Sequence, residues 1–364
     1  MALLPKLNTP EWAAEVNFYL ASAKQQRDKR AVELGYAGRA SYETRMAERG
    51  VHLHGKGGRK SKPPTPQIQT IPALPDLKIK PFRVGKVQRD EEDIGLVLSD
   101  HHAGKETSSY NLAIYKARMH SLLDSVMSII NLHRPVRRVY VFMLGDMVQG
   151  ESVHQGSHIE QCRVGAYGQV YEYAIPTLRD FLVSLSQGVE RVDWYGIRGN
   201  HGRYERTGVP RTNWDNFVYA GLNDQLANQK HIQGHISTDF YQLATIRGFR
   251  FFLVHGDQVS ARMGVPLFAL RRKYQEWYAY VGGFQYAYNG HFHVGGADHI
   301  NSLAQYAMCP PMVTGDDWAL EIIGRASSPV QLIFGVHTRY GRTFEYSLYC
   351  DKQFLPQPFM EVKL

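Results

Sequence analysis

Cysteine is scarce in this chain: Cys162, Cys309 and Cys350 are the only three among 364 residues, and no two form a CxxC spacing. That excludes a disulfide framework and a cysteine-built zinc site, and leaves ordinary buried thiols as the expectation. Long apolar runs are also missing. No stretch approaches the ~20 uninterrupted apolar residues of a membrane-spanning helix, so no membrane association is expected. The start, MALLPKLNTPEW, lacks the basic-then-apolar order of a secretory leader, which makes the cytoplasm the expected location. What is present suffices for a large folded core, with 43% hydrophobic and 21% charged residues.

The formal net charge of +8 is unevenly distributed. Residues 1–90 hold 17 Lys and Arg against 8 Asp and Glu, whereas the rest of the chain holds 25 against 26. A basic front of this kind favours a polyanion, because each neutralised phosphate releases counterions. Composition divides the chain into three parts. Residues 1–51 read as two or three short helices, with Trp12, Val16, Phe18, Leu20 and Ala23 in one segment and Ala31, Leu34, Tyr42 and Met46 in the next. The stretch 31–51 is loosely like a helix-turn-helix with Arg39 and Arg45 exposed. A plain helical hairpin fits it too, since Ser41 stands where an apolar residue is usual. Residues 52–89 are rich in Pro, Gly and Lys and read as a linker. Residues 90–364 alternate β-rich apolar runs with helical stretches over 110–132, 165–186 and 214–229, an α/β rhythm. Near the end, WALEIIGR, PVQLIFGVHTRYG and RTFEYSLYC read as consecutive antiparallel strands.

Five apolar runs end in metal-binding residue types: IGLVLSDHH with Asp100 and His102, VYVFMLGD with Asp146, WYGIRGNH with Asn200 and His201, FFLVHGD with His255, and YAYNGHFH with His291 and His293. Residues at strand ends of α/β sheets converge on a shared crevice, so separate runs can build one site. In extended backbone a spacing of two points side chains the same way, so the DxH and HxH pairs are each expected to grip one centre. Asp257, two residues after His255, is expected to cap a helix or support the site and not to ligate.

The order DxH, GD, GNH, HG, GHxH resembles the calcineurin-like metallophosphoesterase superfamily over residues 94–294. The resemblance implies a two-sheet β-sandwich flanked by helices, here with a small helical region in front. It implies one metal held by Asp100, His102, Asp146 and His293, and a second held by Asn200, His255, His291 and the shared Asp146. Mixed imidazole, carboxylate and amide ligation suits manganese first, or iron or zinc, over calcium. Two such cations acidify a shared water for attack on phosphorus. His201 is similar to the family's non-ligand histidine that helps the leaving oxygen depart. Most members follow GNH with Asp or Glu, whereas this chain reads GNHGR. His201 then lacks an adjacent carboxylate unless Asp215 or another acid folds beside it, and Arg203 becomes a candidate clamp for a substrate phosphate.

His154 and His158, in the loop after Asp146, are further candidates for substrate contact. Arg271, Arg272 and Lys273, followed by Tyr274, Trp277 and Tyr278, fit either single-strand stacking or a helix with a solvated basic edge. The basic front, GNHGR and the C-terminal TGDDWAL and HTRYGRTFEYSLY resemble metallophosphoesterases of phage genomes and SbcD-type nucleases. The expected function is therefore hydrolysis of DNA phosphodiesters, in the host cytoplasm for a phage protein. A homodimer or a partner ATPase is compatible with that function, though the residues indicate neither. The alternatives are a phosphomonoesterase or small-nucleotide phosphodiesterase, and a non-catalytic scaffold. The scaffold is disfavoured because every ligand position of the motif set is kept.

Overall fold

The computed structural model describes residues 4–53, 91–151, 162, 164–204, 209–260, 266–315 and 328–355. The chain divides into two compact units, Met1–Arg83 and Val84–Leu364. In the first, three helices follow one another: α1 (Pro10–Ala21), α2 (Lys24–Glu33) and α3 (Arg39–Glu48). Thr9 caps α1 by accepting the Trp12 N–H, with Pro10 at the first helical position. The inward stripe of α1 is Trp12, Glu15, Val16 and Tyr19, at helical spacing, while Phe18 and Leu20 face outward. Tyr42 and Met46 of α3 and Ala31 of α2 complete the core. Arg39 pairs with Asp28 and Glu43, and Arg45 with Glu48, so the arginines of α3 are engaged within the unit.

The second unit is built on two sheets. The first has the order β11-β10-β1-β2-β3-β4, from β1 (Glu92–Leu98), β2 (Val136–Met143), β3 (Arg191–Gly196), β4 (Ile232–Ile236), β10 (Val330–His337) and β11 (Gly341–Tyr349). Strands β1 to β4 run parallel, and β10 and β11 add as an antiparallel pair at the β1 edge. The second sheet has the order β5-β6-β7-β9-β8, from β5 (Tyr241–Ile246), β6 (Phe249–Val254), β7 (Tyr286–Asn289), β8 (Gly296–His299) and β9 (Gln305–Met308). The expected antiparallel strands at the C-terminus are thus β10 and β11, while WALEIIGR lies outside the described residues.

Alternation along the strands decides the layers. Leu96 and Leu98 of β1 and Val139, Val141 and Met143 of β2 face one core, which is closed by α4 (Leu112–Leu132), α5 (Ile175–Ser186) and α6 (Trp214–Leu226). Val97, Tyr140 and Phe142 face the other way, into a core shared with Phe251, Leu253 and Tyr288 of the second sheet. The far face of that sheet, with Phe252 and Val254, packs on α7 (Leu267–Tyr280). The result is a two-sheet sandwich with helices on both outer faces. Because the central strands are buried on both sides, they read as unbroken apolar runs. Among the described residues no helix is long and apolar enough to cross a membrane.

The helical stretches expected over 110–132 and 214–229 are α4 and α6, and that over 165–186 holds a π-helical stretch, Gly168–Ala174, leading into α5. The basic and aromatic run 271–278 lies on α7. Its Tyr274 and Trp277 are buried in the core, which decides against an exposed stacking surface for these two rings.

Candidate metal centre

Each candidate side chain leaves its sheet just past the C-terminal end of a strand. Asp100 and His102 follow β1, Asp146 follows β2, and Asn200 and His201 follow β3. From the second sheet, His255 follows β6, and His291 and His293 follow β7. Both sheets deliver residues to one place because β1, β2 and β3 are mutually parallel, as are β6 and β7.

The local backbone differs from the expectation drawn from spacing. Asp100 (φ 54°), His102 (φ 48°), Asp146 (φ 54°), His291 (φ 69°) and His293 (φ 55°) all occupy the left-handed region, so neither DxH nor HxH is extended. Such a conformation costs roughly 1–2 kcal/mol for an ordinary side chain, and Asp, Asn and His tolerate it best. It is held by neighbouring loops: the His102 N–H donates to the Asp146 carbonyl at 2.9 Å, and the Ala103 N–H to the Met147 carbonyl at 3.0 Å. Asp100 and His102 do meet, with the fully buried His101 between them turned toward the Tyr115 ring. His291 and His293 instead part company and join different groups, which corrects the idea that each pair grips a single centre.

The first group is Asp100, His102 and His293, and a second is Asp146, His255 and His291. A third, His102, Asp146 and His201, overlaps both, so Asp146 lies between the other clusters. His102 Nε2 is 3.1 Å from His293 Nε2, which is 3.3 Å from Asp100 Oδ1. In the second group His255 Nε2 is 3.1 Å from Asp146 Oδ2 and 3.0 Å from Asn200 Oδ1, which brings Asn200 to that cluster. Metal bonds of about 2.1 Å at right angles put neighbouring donors about 3 Å apart, so these separations fit first-row dications.

The donors are held from behind. Ser99 Oγ donates to Asp100 Oδ2 at 2.5 Å, and the Ser99 N–H donates to Gln331 Oε1 at 2.7 Å. The His291 N–H donates to the Asp100 carboxylate, and the His201 N–H to Asp146 Oδ1 at 2.7 Å. His255 Nδ1 donates to the Leu144 carbonyl at 2.7 Å, which leaves Nε2 facing the cluster. Burial lowers the pKa of His102, and burial with the charge of His255 brings His291 down to about 3, so both rings are neutral at pH 7, the form that binds metals. Burial opposes charge on His255, but the Asp146 carboxylate beside it raises its pKa to about 9. His102 and His293 beside Asp100, and His255 and His201 beside Asp146, hold these carboxyls well below the usual carboxylate range in spite of their burial.

His201 packs edge-on against His102, ring centroids 4.4 Å apart, and its Nδ1 donates to the Gln149 carbonyl at 3.0 Å. A backbone carbonyl therefore orients this ring, which the sequence leaves without an adjacent carboxylate. Asp215 is close by but serves the backbone: Oδ2 accepts the Asp146 N–H at 2.9 Å and the Gly199 N–H at 2.8 Å, and Oδ1 accepts the Met147 N–H at 3.0 Å. Burial and the charge of Asp146 raise its pKa to about 7. The two turns touch main chain to main chain. A Cβ on Gly145 (φ 90°) would lie 2.4 Å from the Gly199 nitrogen, and one on Gly199 2.1 Å from Asp146 Oδ1, so only glycine fits at either position.

Arg203 is ion-paired with Asp257, which belongs to none of the three candidate groups among the described residues. His154 and His158 lie outside the described residues. Sequence reasoning missed Ser99, Gln149 and the buried Lys105, whose charge depresses the pKa of both His102 and His201 after burial has done so. Ser99, next to Asp100 in the motif, was open to detection, whereas the Gln149 contact is made by backbone and leaves no mark on residue type.

The sequence pattern described as calcineurin-like phosphoesterase matches residues 96–295. Among solved structures, the chain is similar to wild-type Vps29 complexed with Zn²⁺ from Entamoeba histolytica, at 12% identity over 71% of this chain and 99% of that one, TM-score 0.31. It is similar to a dimetal phosphatase from Danio rerio at 12% identity over 71% and 99%, TM-score 0.36. A 5′-nucleotidase from Candida albicans aligns at 9% identity over 73% of this chain and 53% of that one, TM-score 0.35. No curated protein matches the chain in sequence.

Proposed function

Because the chain belongs to the calcineurin-like phosphoesterase family, whose pattern covers more than half of it, we propose that it is a dinuclear-metal phosphodiesterase that hydrolyses DNA. The observation that carries the reading is the convergence of two donor clusters on Asp146. Asp100, His102 and His293 would hold one cation and Asn200, His255 and His291 the other, with Asp146 reaching both. Two divalent cations, manganese first and iron or zinc next, would acidify a water and offset the charge that grows on the phosphoryl oxygens. The chain's own groups do the rest. Burial of the clusters strengthens every electrostatic interaction there. His201, anchored through Nδ1, presents Nε2 to take up a proton and return it to the departing oxygen. Arg203, fixed by Asp257 and still 40% exposed, is assigned to a substrate phosphate, together with His154 and His158.

The choice of DNA rests on charge. Residues 1–53 hold 8 Lys and Arg against 6 Asp and Glu, whereas residues 54–90 hold 9 against 2. The polyanion-binding part is thus assigned to the segment after the helices. The test presents the full chain with Mn²⁺ to linear duplex DNA, single-stranded DNA, bis-p-nitrophenyl phosphate and p-nitrophenyl phosphate. DNA and the diester are cleaved, and replacing Lys56, Arg59, Lys60 and Lys62 by Ala spares diester hydrolysis while lowering the salt slope of DNA binding by about 0.9 per lost phosphate contact. Hydrolysis of the monoester alone would reject the nuclease reading in favour of a phosphomonoesterase. No turnover with Mn²⁺, Fe²⁺ or Zn²⁺ would favour the scaffold.

A further inference from the structure

The two clusters differ in what fixes their spacing. Asp100 is held by Ser99 and the His291 N–H, and Ser99 in turn by Gln331, all without help from α6. The Asp146 and Asn200 turns, in contrast, are joined through the first turn of α6. One oxygen of Asp215 accepts N–H groups from both turns at once, 2.9 Å from Asp146 N and 2.8 Å from Gly199 N. Two such N–H dipoles aimed at one point repel unless an acceptor sits between them, and leaving them buried and unmet is costly. Asn213 adds a second tie, accepting the Asp215 N–H at 2.9 Å and donating to the Gly199 carbonyl at 2.8 Å.

We infer that Asp215 is the positioning residue that sets the separation of Asp146 from Asn200, and so decides whether the cation site of Asn200, His255, His291 and Asp146 fills. It acts on the backbone of the two turns and is itself fully buried. Asp215 binds the Asp146, Met147 and Gly199 N–H groups, and the site at Asp100, His102 and His293 reaches that turn at one remove, through main-chain bonds from Asp100, His102 and Ala103. The inference rests on the two-metal reading, and its test separates the two. Equilibrium dialysis counts bound Mn²⁺, and electron paramagnetic resonance tells a coupled Mn²⁺ pair from isolated ions. Wild type binds two ions with a coupled signal. Asp215→Ala keeps one ion, weakens the other about 10- to 100-fold and shows isolated Mn²⁺. Asp215→Asn, which keeps one acceptor oxygen, falls between them and is the deciding variant if Asp215→Ala does not fold. Leu222→Ala, in the core face of the same helix, lowers Tm but keeps both ions and the coupled signal. A coupled pair retained in the Asp215 variants overturns the inference, as does equal loss of the second ion in Leu222→Ala. Fewer than two ions in wild type would overturn the two-metal reading itself and this inference with it.

Discussion

Glu15, in the helical unit, and Asp146, in the larger one, are carboxylates at 3% and 1% exposure, and their partners differ in kind. Glu15 receives the Arg30 guanidinium at 2.6 and 3.1 Å and the Tyr42 hydroxyl at 2.5 Å. Its charge is cancelled by a fixed cation, and the hydroxyl that completes the contact is itself raised in pKa by burial and by that bond. Asp146 accepts the His201 N–H and meets the His255 ring, a partner whose charge follows conditions. One carboxylate is closed by the fold, whereas the other is kept in an arrangement that favours a cation. The difference between a structural buried charge and a ligand is thus the chemistry of the surrounding groups, since depth of burial is nearly the same.

Substitution of the two carboxylates is the sharpest way to break this contrast. Asp146→Ala lowers diester hydrolysis on the order of 10³-fold or more while shifting Tm little, measured by steady-state kinetics and thermal melting. Normal turnover in this variant would remove Asp146 from the chemistry. His201→Ala, within the same cluster, lowers kcat about 10²- to 10⁴-fold and leaves two Mn²⁺ ions bound. Loss of an ion would instead move His201 among the ligands. Glu15→Ala has the smallest effect, costing the helical unit about 2–3 kcal/mol in denaturant unfolding with diester hydrolysis unchanged. An unchanged midpoint would mean that Arg30 and Tyr42 are satisfied as well by water.

Much of the site was legible because its residues follow doubly buried strands, where an unbroken apolar run stopping at Asp, Asn or His stands out. The helices were legible from their apolar period, as with Leu122, Val126 and Ile130 on α4. Other features left a weaker trace. The stacking rings proposed on α7 share the spacing of a core face, and only the sheet against which Tyr274 and Trp277 pack decides between the two. The left-handed backbone at Asp100 and His102 is invisible in residue type, since Asp and His occupy ordinary regions elsewhere.

Residue order alone fixed the α/β class, the strand ends that carry the donors, and the charge imbalance of residues 54–90, because these follow from periodicity and composition. The left-handed backbone at His291 and His293, the orientation of His201 by the Gln149 carbonyl, and the grip of Asp215 on two turns came only with the tertiary structure. Each depends on backbone from a distant part of the chain, whose position is set by how the sheets stack and which loops touch.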